Sequence, residues 1–341
     1  MISPRTFAWH RSWAPRPIAA VKNVRAALRL ILYIVATACL FVPSAPFAAE
    51  HLIIGTPSRG LFEFPVVVAM RKDFYRDEGL EVDKVQMQPA TAVRALMSGD
   101  IDCLLAWGSA VRAAVTGIPI KAVLGMASRP LHVLMVRPEI KTGKDLRGKT
   151  VGVDSIAGTV DYLSRLAVRH FGMEPGRDVT IVVTGESPTR LAALRSGSID
   201  ATAIDVAFAV KAEEEGYKRF LYLGDVIELP LSGIAVMEKK LQSQRNQVKR
   251  VVRATLRGIR FMKQNRAETI KMLSDYLRIT PSQAAKAYDT SIHSFTDDGI
   301  ISANGVNLDV QLTKERLKLT REIPLSQLVD WSLVKEINAD R

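Results

Sequence analysis

The chain has 341 residues, of which 48% are hydrophobic and 24% are charged, and its formal net charge is +12 at pH 7. This composition is typical of a globular protein with a sizeable core and excludes a disordered or fibrous chain. Residues 1–49 hold six basic side chains and no acidic one, which leaves 41 basic against 35 acidic side chains, a net charge of +6, on the rest. We therefore expect no nucleic-acid-binding face.

The N-terminal segment, residues 1–49, is typical of a secretory signal peptide. Its basic residues precede an apolar run of 13 residues from Leu30 to Val42, and the small-residue stretch SAPFAAE follows. A membrane span needs about 20 apolar residues, so the run is short for one. We expect export to the periplasm. An uncleaved N-terminal anchor and a lipid tether at Cys39 are the alternatives, and the cleavage site stays open.

Short apolar strands alternate with helical patterns from His51 onward. In the first half, strands are predicted at 52–56, 81–87, 101–107 and 120–127, and helices at 64–79, 91–99 and 109–117. The second half repeats the pattern, with strands at 150–154, 179–184 and 199–204 and helices at 158–172, 187–197 and 206–216. Such alternation indicates parallel-rich sheets covered by helices on both faces.

An internal repeat links the two halves. The segment ALMSGDIDCLLA (95–106) returns as ALRSGSIDATAI (193–204), at an offset of 98 residues. An offset this large is not a solenoid period, so we expect two similarly built α/β lobes. Asp102 and Asp200, which the repeat shares, begin strands at the far end from the expected crevice and are predicted to be structural.

Two extended segments, 132–138 and 231–240, are predicted to cross between the lobes. The first lobe then comprises 50–136 plus 232–341, including a helical C-terminal tail, and the second comprises 137–231. Two lobes on two crossings form a hinge that can close around a ligand.

One helix of the predicted tail is strongly basic. In the segment 245–268, the side chains opposite its apolar face are mostly lysine and arginine. We interpret this as a solvated helix face, with a surface for nucleic acid, lipid or a protein partner as the alternative.

The octapeptide GKDLRGKT (143–150) matches the phosphate-binding pattern G-x-x-x-x-G-K-[ST]. A working loop of this kind follows a buried strand and precedes a helix, whose N-terminus binds the phosphate. Here a polar turn containing Pro138 precedes the match, and the strand 150–154 follows it. We therefore interpret 144–149 as a short helical turn that leads into the second lobe.

Catalytic and metal-binding patterns are missing from the sequence. It contains no G-x-G-x-x-G, no H-E-x-x-H and no cysteine pair with zinc spacing, and its five histidines are scattered singly. Cys103, the single cysteine after residue 49, lies in an apolar run and is predicted to be a small buried hydrophobic residue. We expect no catalytic residue, no metal, no cofactor and no enzymatic activity.

An ordered set of weak motifs resembles a known family. The motifs are FEFP (62–65), RKDFYRDEGLEVD (71–83), ALMSGDIDCLLAWGSA (95–110), KDLRGKTVGV (144–153) and TRLAALRSGSIDATAID (189–205). Together they resemble the solute-binding proteins of ABC importers in the nitrate/sulfonate/taurine and thiamine-pyrimidine-precursor group.

The resemblance covers about residues 51–280. It implies the α/β, two-lobed periplasmic-binding-protein fold of type II. It also implies a small-molecule ligand and delivery to an ABC permease whose ATPase is a separate subunit. We expect a monomer. An enzyme on the same fold, similar to pyrimidine-precursor synthases, and a sensory ligand-binding module are the alternatives.

Ligands of open parallel sheets bind beyond the carboxyl ends of the strands. The loops at that edge carry eight candidate ligand-binding residues, namely Phe62, Glu63, Trp107, Gly108, Ser109, Gly158, Thr159 and Asp205. The two aromatic rings could enclose a flat or apolar part of the ligand. The glycines and hydroxyls at helix starts suit an oxyanion or a carbonyl oxygen. The two acids could accept from an amine or a ring N–H.

Several of these candidates have a structural alternative. Ser109, Thr159 and Asp205 are equally compatible with simple helix caps, and Trp107 with a core residue. Arg59 is the single arginine in the inferred cleft loops, so a two-pronged anion site is not predicted. The ligand class, whether sulfonate, carboxylate, pyrimidine or amine, stays open.

Overall fold

The computed structural model of the chain describes residues 49–57, 59–156 and 158–340. Residues 1–48, which hold nearly all of the predicted signal peptide and the predicted lipid site at Cys39, lie outside the described residues. None of the helices in the described part combines the length and the apolar character that a membrane span requires.

Ten strands form two sheets in the described residues. In chain order they are β1 (Glu50–Thr56), β2 (Leu80–Gln86), β3 (Cys103–Leu104), β4 (Ile120–Ala127), β5 (His132–Val136), β6 (Thr150–Val153), β7 (Thr180–Val183), β8 (Ala201–Asp205), β9 (Lys218–Tyr222) and β10 (Ser232–Met237). The first sheet has the order β2-β1-β3-β10-β4, and the second has the order β7-β6-β8-β5-β9.

Fifteen α-helices connect and cover these sheets in the same part of the chain. They are α1 (Phe64–Arg71), α2 (Phe74–Asp77), α3 (Pro89–Ser98), α4 (Trp107–Val115), α5 (Thr159–His170), α6 (Ser187–Ser196), α7 (Val206–Glu214), α8 (Leu223–Val226), α9 (Glu238–Ser243), α10 (Arg245–Gln264), α11 (Arg266–Leu277), α12 (Pro281–Ser291), α13 (Ala303–Leu317), α14 (Leu325–Leu328) and α15 (Ser332–Ala339). Single 3-10 turns occupy Leu61–Glu63, Gly143–Leu146 and Ile292–Ser294.

Each sheet contains one strand from the other half of the chain. β1 pairs parallel with β2 and β3, whereas β10 is antiparallel to both β3 and β4. In the second sheet β6 pairs parallel with β7 and β8, whereas β5 is antiparallel to β8 and β9. Both segments that are predicted to cross between the lobes therefore contain a strand, β5 or β10, which pairs antiparallel with its two neighbours in the sheet. The pairing of β5 also puts 132–136 in the second sheet, although the predicted first lobe extends to residue 136.

The internal repeat has the same structure in both halves. Asp102 Oδ2 accepts the backbone N–H of Ile53 at 2.8 Å, and Asp200 Oδ2 accepts the backbone N–H of Thr150 at 2.9 Å. Each carboxylate thus holds the start of one strand against its parallel neighbour. The structural role predicted for both aspartates is confirmed.

The predicted strand 101–107 is too long. The structure has a two-residue strand, Cys103–Leu104, and then a helix that begins at Trp107. The predicted helix 64–79 is also divided, because Asp73 adopts a left-handed conformation with φ 56° between α1 and α2. An L-residue rarely takes this conformation within a helix, so the break is not visible in the apolar periodicity.

The phosphate-loop match is a turn, as predicted. Gly143–Leu146 forms one 3-10 turn with a capping box between Thr142 and Asp145, and the strand β6 begins at Thr150. The order of turn and strand is the reverse of a nucleotide-binding loop.

The basic face of α10 is not a solvated face. Arg253 pairs with Glu78 at 2.8 Å, and Arg257 pairs with Asp77 at 2.7 Å. Further along the same face, Lys249 lies 3.1 Å from Glu336 of α15. Three of the basic side chains therefore join α10 to neighbouring elements, which periodicity alone does not reveal. The apolar face is buried as predicted.

Candidate ligand-binding site

The loops at the carboxyl ends of the two sheets meet at Gly60 and Asp205. A Cβ atom on Gly60 would lie 3.5 Å from Asp205 Oδ2 and 3.1 Å from the ring of Phe62. Gly60 follows β1 of the first sheet, and Asp205 ends β8 of the second. Phe62 and Asp205 are therefore brought together across the boundary between the sheets.

Asp205 has one oxygen bound and one facing this boundary. Its Oδ1 accepts the backbone N–H of Ala207 at 2.8 Å, which caps α7. Among the described residues, Oδ2 has no hydrogen-bond partner. Burial raises the pKa of the Asp205 carboxyl from 3.8 to about 6. Asp205 is thus a helix cap, which is one of its two predicted roles, and its second oxygen is free to accept a hydrogen bond.

Glu63 forms a polar cluster with Lys84 and Tyr276 on the side of the molecule that contains the first sheet. Its side chain is fully buried, and Oε2 accepts from Lys84 Nζ at 2.8 Å. The hydroxyl of Tyr276 donates to Oε1, and Lys84 Nζ donates to that hydroxyl at 2.9 Å. Both oxygens of Glu63 already have donors, so Glu63 is not placed beside Asp205 as a second free acceptor.

Trp107 is almost completely buried, with 1% of its surface exposed. Its ring stacks on Trp331, with centroids 6.2 Å apart and planes 9° apart, and its Nε1 donates to Asp309 Oδ2 at 3.0 Å. Burial raises the pKa of the Asp309 carboxyl to about 7, against the opposing effects of the Arg112 charge and the Trp107 hydrogen bond. In this conformation Trp107 is placed as a core residue.

The first turn of α4 carries Gly108 and Ser109, and Arg112 folds back onto it. Arg112 donates to Ser109 Oγ at 3.0 Å. Its other terminal nitrogen lies 3.0 Å from the position that a Cβ on Gly108 would take. A side chain at position 108 would therefore displace the guanidinium, which explains the glycine. The sequence prediction located this turn but missed Arg112.

The start of α5 carries Gly158 and Thr159. A Cβ on Gly158 would lie 2.4 Å from Ser155 Oγ and 2.5 Å from Asp154 Oδ1, so no larger residue fits here. Gly158 is the N-cap, and no side chain caps this helix. The free amides of α5 therefore face the loop after β6, beside the Asp154 carboxylate.

Two further polar residues on the second sheet's side were not predicted. Arg190 on α6 is 2% exposed. His132 on β5 is paired in register with Asp205, and its Nδ1 is buried without a hydrogen-bond partner among the described residues. Burial, together with the Arg190 charge, lowers the pKa of His132 to about 3, so the imidazole is neutral.

A pattern in the sequence could have revealed both arginines. Arg112 and Arg190 each stand three residues after a serine at a helix start, in SAVR and SPTR. Each donates to that serine's hydroxyl at 3.0 Å. Because residues three apart share a helix face, the arginine head lies over the helix start. Candidates taken from the loops alone do not include side chains that lie one turn into the helix and reach back over its start.

The described residues contain no group of three or more histidine, cysteine, aspartate or glutamate side chains placed to hold a metal ion. The polar groups that the residues described above carry are the carboxylates of Asp205 and Asp154, the guanidinium groups of Arg112 and Arg190, and the neutral imidazole of His132.

Comparisons with known proteins assign the chain to a family. A family model described as "NMT1/THI5 like" matches residues 63–269. The riboflavin-binding protein RibY of Chloroflexus aurantiacus is 28% identical over 209 residues, a match that covers 57% of this chain and 57% of RibY. This chain thus spans little more than half the length of that curated relative.

Solved structures share the fold. The periplasmic aliphatic sulphonate binding protein SsuA from Escherichia coli superposes with a TM-score of 0.65 at 18% identity, over 82% of this chain and 91% of SsuA. The desulfurization enzyme DSZB superposes with a TM-score of 0.66 at 14% identity, over 86% of this chain and all of DSZB. The chain therefore has the α/β fold of periplasmic binding proteins, with two sheets flanked by helices.

Proposed function

The chain belongs to the NMT1/THI5 like family, and from this premise we propose that it is the extracytoplasmic solute-binding component of an ABC importer. In this proposal it captures a small organic molecule between two lobes and delivers it to a membrane permease with a separate ATPase subunit. It acts as a monomer in the periplasm after export through its N-terminal segment. The two lobes correspond to the two sheets, with the crossings beside β5 and β10.

The approach of Gly60 and Asp205 is the observation that carries the proposal. Two loops from different sheets meet there, and each comes from the carboxyl end of a strand. Ligands of such sheets bind at that edge. A ligand between the two loops would contact both lobes, so its binding would favour the closed arrangement.

We assign the ligand contacts to six of the eight residues predicted from the sequence. They are Phe62, Gly108, Ser109, Gly158, Thr159 and Asp205. Glu63 and Trp107 are assigned a positioning role, because their polar atoms already bind Lys84, Tyr276 and Asp309. By their names, RibY binds riboflavin and SsuA binds aliphatic sulphonates. Flavins, sulfonates, pyrimidines and carboxylates are therefore the first compounds to test.

An enzyme on the same fold is the second candidate, since DSZB shares this architecture. The side chain that a thiol mechanism would need is unsuitable here. Cys103 is fully buried in the first sheet, and burial raises the pKa of its thiol to about 12. A thiol in this state is not a nucleophile at neutral pH. A sensory module would use the same binding geometry.

The affinity for a ligand that donates an N–H or O–H should rise with pH through about 6. Above that pH Asp205 is ionised and acts purely as an acceptor, whereas below it the carboxyl gains a proton and loses acceptor strength. We expect the best-binding compound of the panel to bind about fivefold to tenfold more tightly at pH 7.5 than at pH 5, by isothermal titration calorimetry.

Asp205→Asn should bind more weakly at pH 7.5 and show a flat pH profile, because its amide does not titrate. Asp275→Asn, which removes an exposed carboxylate, should behave as the original protein. A pH-dependent affinity that persists in Asp205→Asn would remove Asp205 from the site. If no compound of the four classes binds at any pH, the receptor proposal itself fails.

A further inference from the structure

The tail helix α13 has two opposite apolar faces, each buried against a different part of the molecule. Val306 and Val310, which are 1% and 6% exposed, belong to a buried cluster with Trp107 of α4. Leu312, which is 8% exposed, is buried in the cluster that covers the second sheet, and Leu308 packs against that cluster. Residues two apart in sequence lie about 200° apart around a helix, so the two pairs point in opposite directions. The tail therefore contributes to the second core as well as to the first, although the whole tail was predicted to belong to the first lobe.

The attachment of α13 on the side of the first sheet is tight. Trp107 Nε1 donates to Asp309 Oδ2 at 3.0 Å, and these two residues are 1% and 7% exposed. The helix α13 also packs along α4, which carries Trp107. Because this contact is closed to water on both partners, we expect α13 to move together with the first sheet.

The attachment of α13 on the side of the second sheet is looser. The hydroxyl of Tyr162, a half-buried residue of α5, donates to the backbone carbonyl of Leu312 at 3.0 Å. Beside this bond an open groove of about 350 Å³ lies between α5 and α13, with Leu166 and Glu315 in its walls. Contacts with few buried apolar atoms open at a lower free energy than a closed core. A separation of the two sheets would therefore break the contact with α5 before the contact with α4.

The N-terminus of α13 lies beside one of the predicted crossings. Ser302, the N-cap of α13, donates to Glu228 Oε1 at 2.6 Å. A Cβ atom on Gly305 would lie 3.4 Å from the ring of Pro230. Both contacts are made to the segment 227–231, which leads into β10. Leu312 lies ten residues after Ser302, about 15 Å further along the helix. A rotation about the crossing would therefore displace the bond at Leu312 more than the contacts at the N-terminus.

We propose that α13 is a strap that holds the two lobes together, and that its contact with α5 opens each time a ligand enters or leaves. The contact between Tyr162 and Leu312 joins two groups of the protein itself, so the strap can form with or without a ligand. This inference rests on the proposed function and adds a gate to it. Because the strap is formed both before and after binding, it controls the rates of binding and release more than the affinity.

Tyr162→Phe tests the strap through binding kinetics. The substitution keeps the ring and removes the hydroxyl that donates to Leu312. The probe is the best-binding member of the flavin, sulfonate, pyrimidine and carboxylate panel, followed by surface plasmon resonance on the immobilised protein. The association and dissociation rate constants should rise together, each about threefold to tenfold, while Kd changes by less than about twofold. An unchanged association rate with a weaker Kd would show that the contact forms only with the ligand, and would overturn the proposal.

Tyr288→Phe is the matched control. The Tyr288 hydroxyl also donates to a backbone carbonyl, that of Met262 at 2.8 Å, but this bond joins α12 to α10 and does not involve α5. Both variants lose one bond of the same chemistry, so both should unfold at a slightly lower temperature. The rate constants should change in Tyr162→Phe alone. Equal changes in both variants would show a general loosening of the protein and would also overturn the strap.

A second measurement needs no ligand. Spin labels at Val85→Cys and Val183→Cys lie on β2 and β7, the edge strands of the two sheets, at positions that are 40% and 57% exposed. The label separation therefore reports the distance between the lobes. A Cys39→Ser background leaves Cys103, which is fully buried, as the one native cysteine. Double electron–electron resonance measures the distribution of distances.

The double variant Tyr162→Phe with Leu312→Ala removes both the bond and the apolar contact with α5. It should add a population with a longer label separation than the labelled protein without these two changes. Identical distributions would overturn the strap. If no compound of the four classes binds, the proposed function fails, and the label distances still decide whether α13 holds the lobes together.

Discussion

Replacing Glu63 by alanine should lower the free energy of unfolding by about 3–5 kcal/mol, the usual cost of breaking a buried ion pair from one side. The carboxylate is fully buried, and it accepts from Lys84 Nζ at 2.8 Å and from the Tyr276 hydroxyl. Its removal leaves the Lys84 ammonium without its counter-charge, with 20% of that side chain exposed. Urea unfolding monitored by circular dichroism measures the change.

A surface pair on the same lobe provides the control. Glu268 pairs with Lys72 at 2.9 Å, but the two side chains are 48% and 33% exposed. Glu268→Ala should cost less than about 1 kcal/mol, because solvent screens an exposed pair. If Glu63→Ala is no more harmful than Glu268→Ala, and instead abolishes ligand binding, Glu63 is a ligand acceptor in a different, open conformation.

Trp107→Ala should destabilise the protein by a comparable amount, about 3–5 kcal/mol, through the cavity it creates. The indole is 1% exposed, stacks on Trp331 and donates to Asp309. The substitution also leaves the Asp309 carboxyl, which is 7% exposed, without its donor. Thermal and urea unfolding report the loss directly.

Trp331→Ala tests the same ring contact from the other side. Trp331 is half-buried, so water can enter the space it leaves, and we expect a smaller loss, about 1–2 kcal/mol. Trp107→Phe should fall between the two alanine variants, because it keeps a ring but not the Nε1 donor. A stable Trp107→Ala protein with weakened ligand binding would return Trp107 to the ligand contacts.

Much of the fold follows from short-range patterns. The repeat at an offset of 98 residues correctly indicated two similar halves, because Asp102 and Asp200 each bind a backbone N–H that is 49 or 50 residues away in sequence but adjacent in the sheet. The repeat indicates a shared structure because each copy combines three features, namely a helix that ends at a glycine, an aspartate carboxylate and the start of a buried strand. The order of turn and strand predicted around Gly143 is also confirmed, because the polar turn and the alternating strand are both local patterns.

Other features depend on contacts that no local pattern encodes. The helix α4 begins at Trp107 although the run before it is as apolar as a strand, and Trp107 packs on Trp331, which is more than 200 residues away in sequence. The basic face of α10 carries ion pairs to acids that are distant in sequence, such as Arg253 with Glu78. The periodicity of apolar and charged residues identifies the faces of a helix but not the residues that each face contacts.

The candidate site shows the same limit. Composition and strand ends located Asp205 and the helix starts at Gly108 and Gly158, and the structure adds two arginines that reach those starts from the following turn. Glu63 shows the converse case, since a carboxylate beside the predicted cleft is bound by Lys84 and Tyr276. Which neighbours neutralise a charge depends on the tertiary structure.

A crystal structure of the protein with its best-binding compound tests the central claim most directly. We predict the ligand between the two sheets, within hydrogen-bond distance of Asp205 or the Gly108–Ser109 turn. A ligand bound on the surface of one lobe, with no contact to the loops of the other, would contradict it.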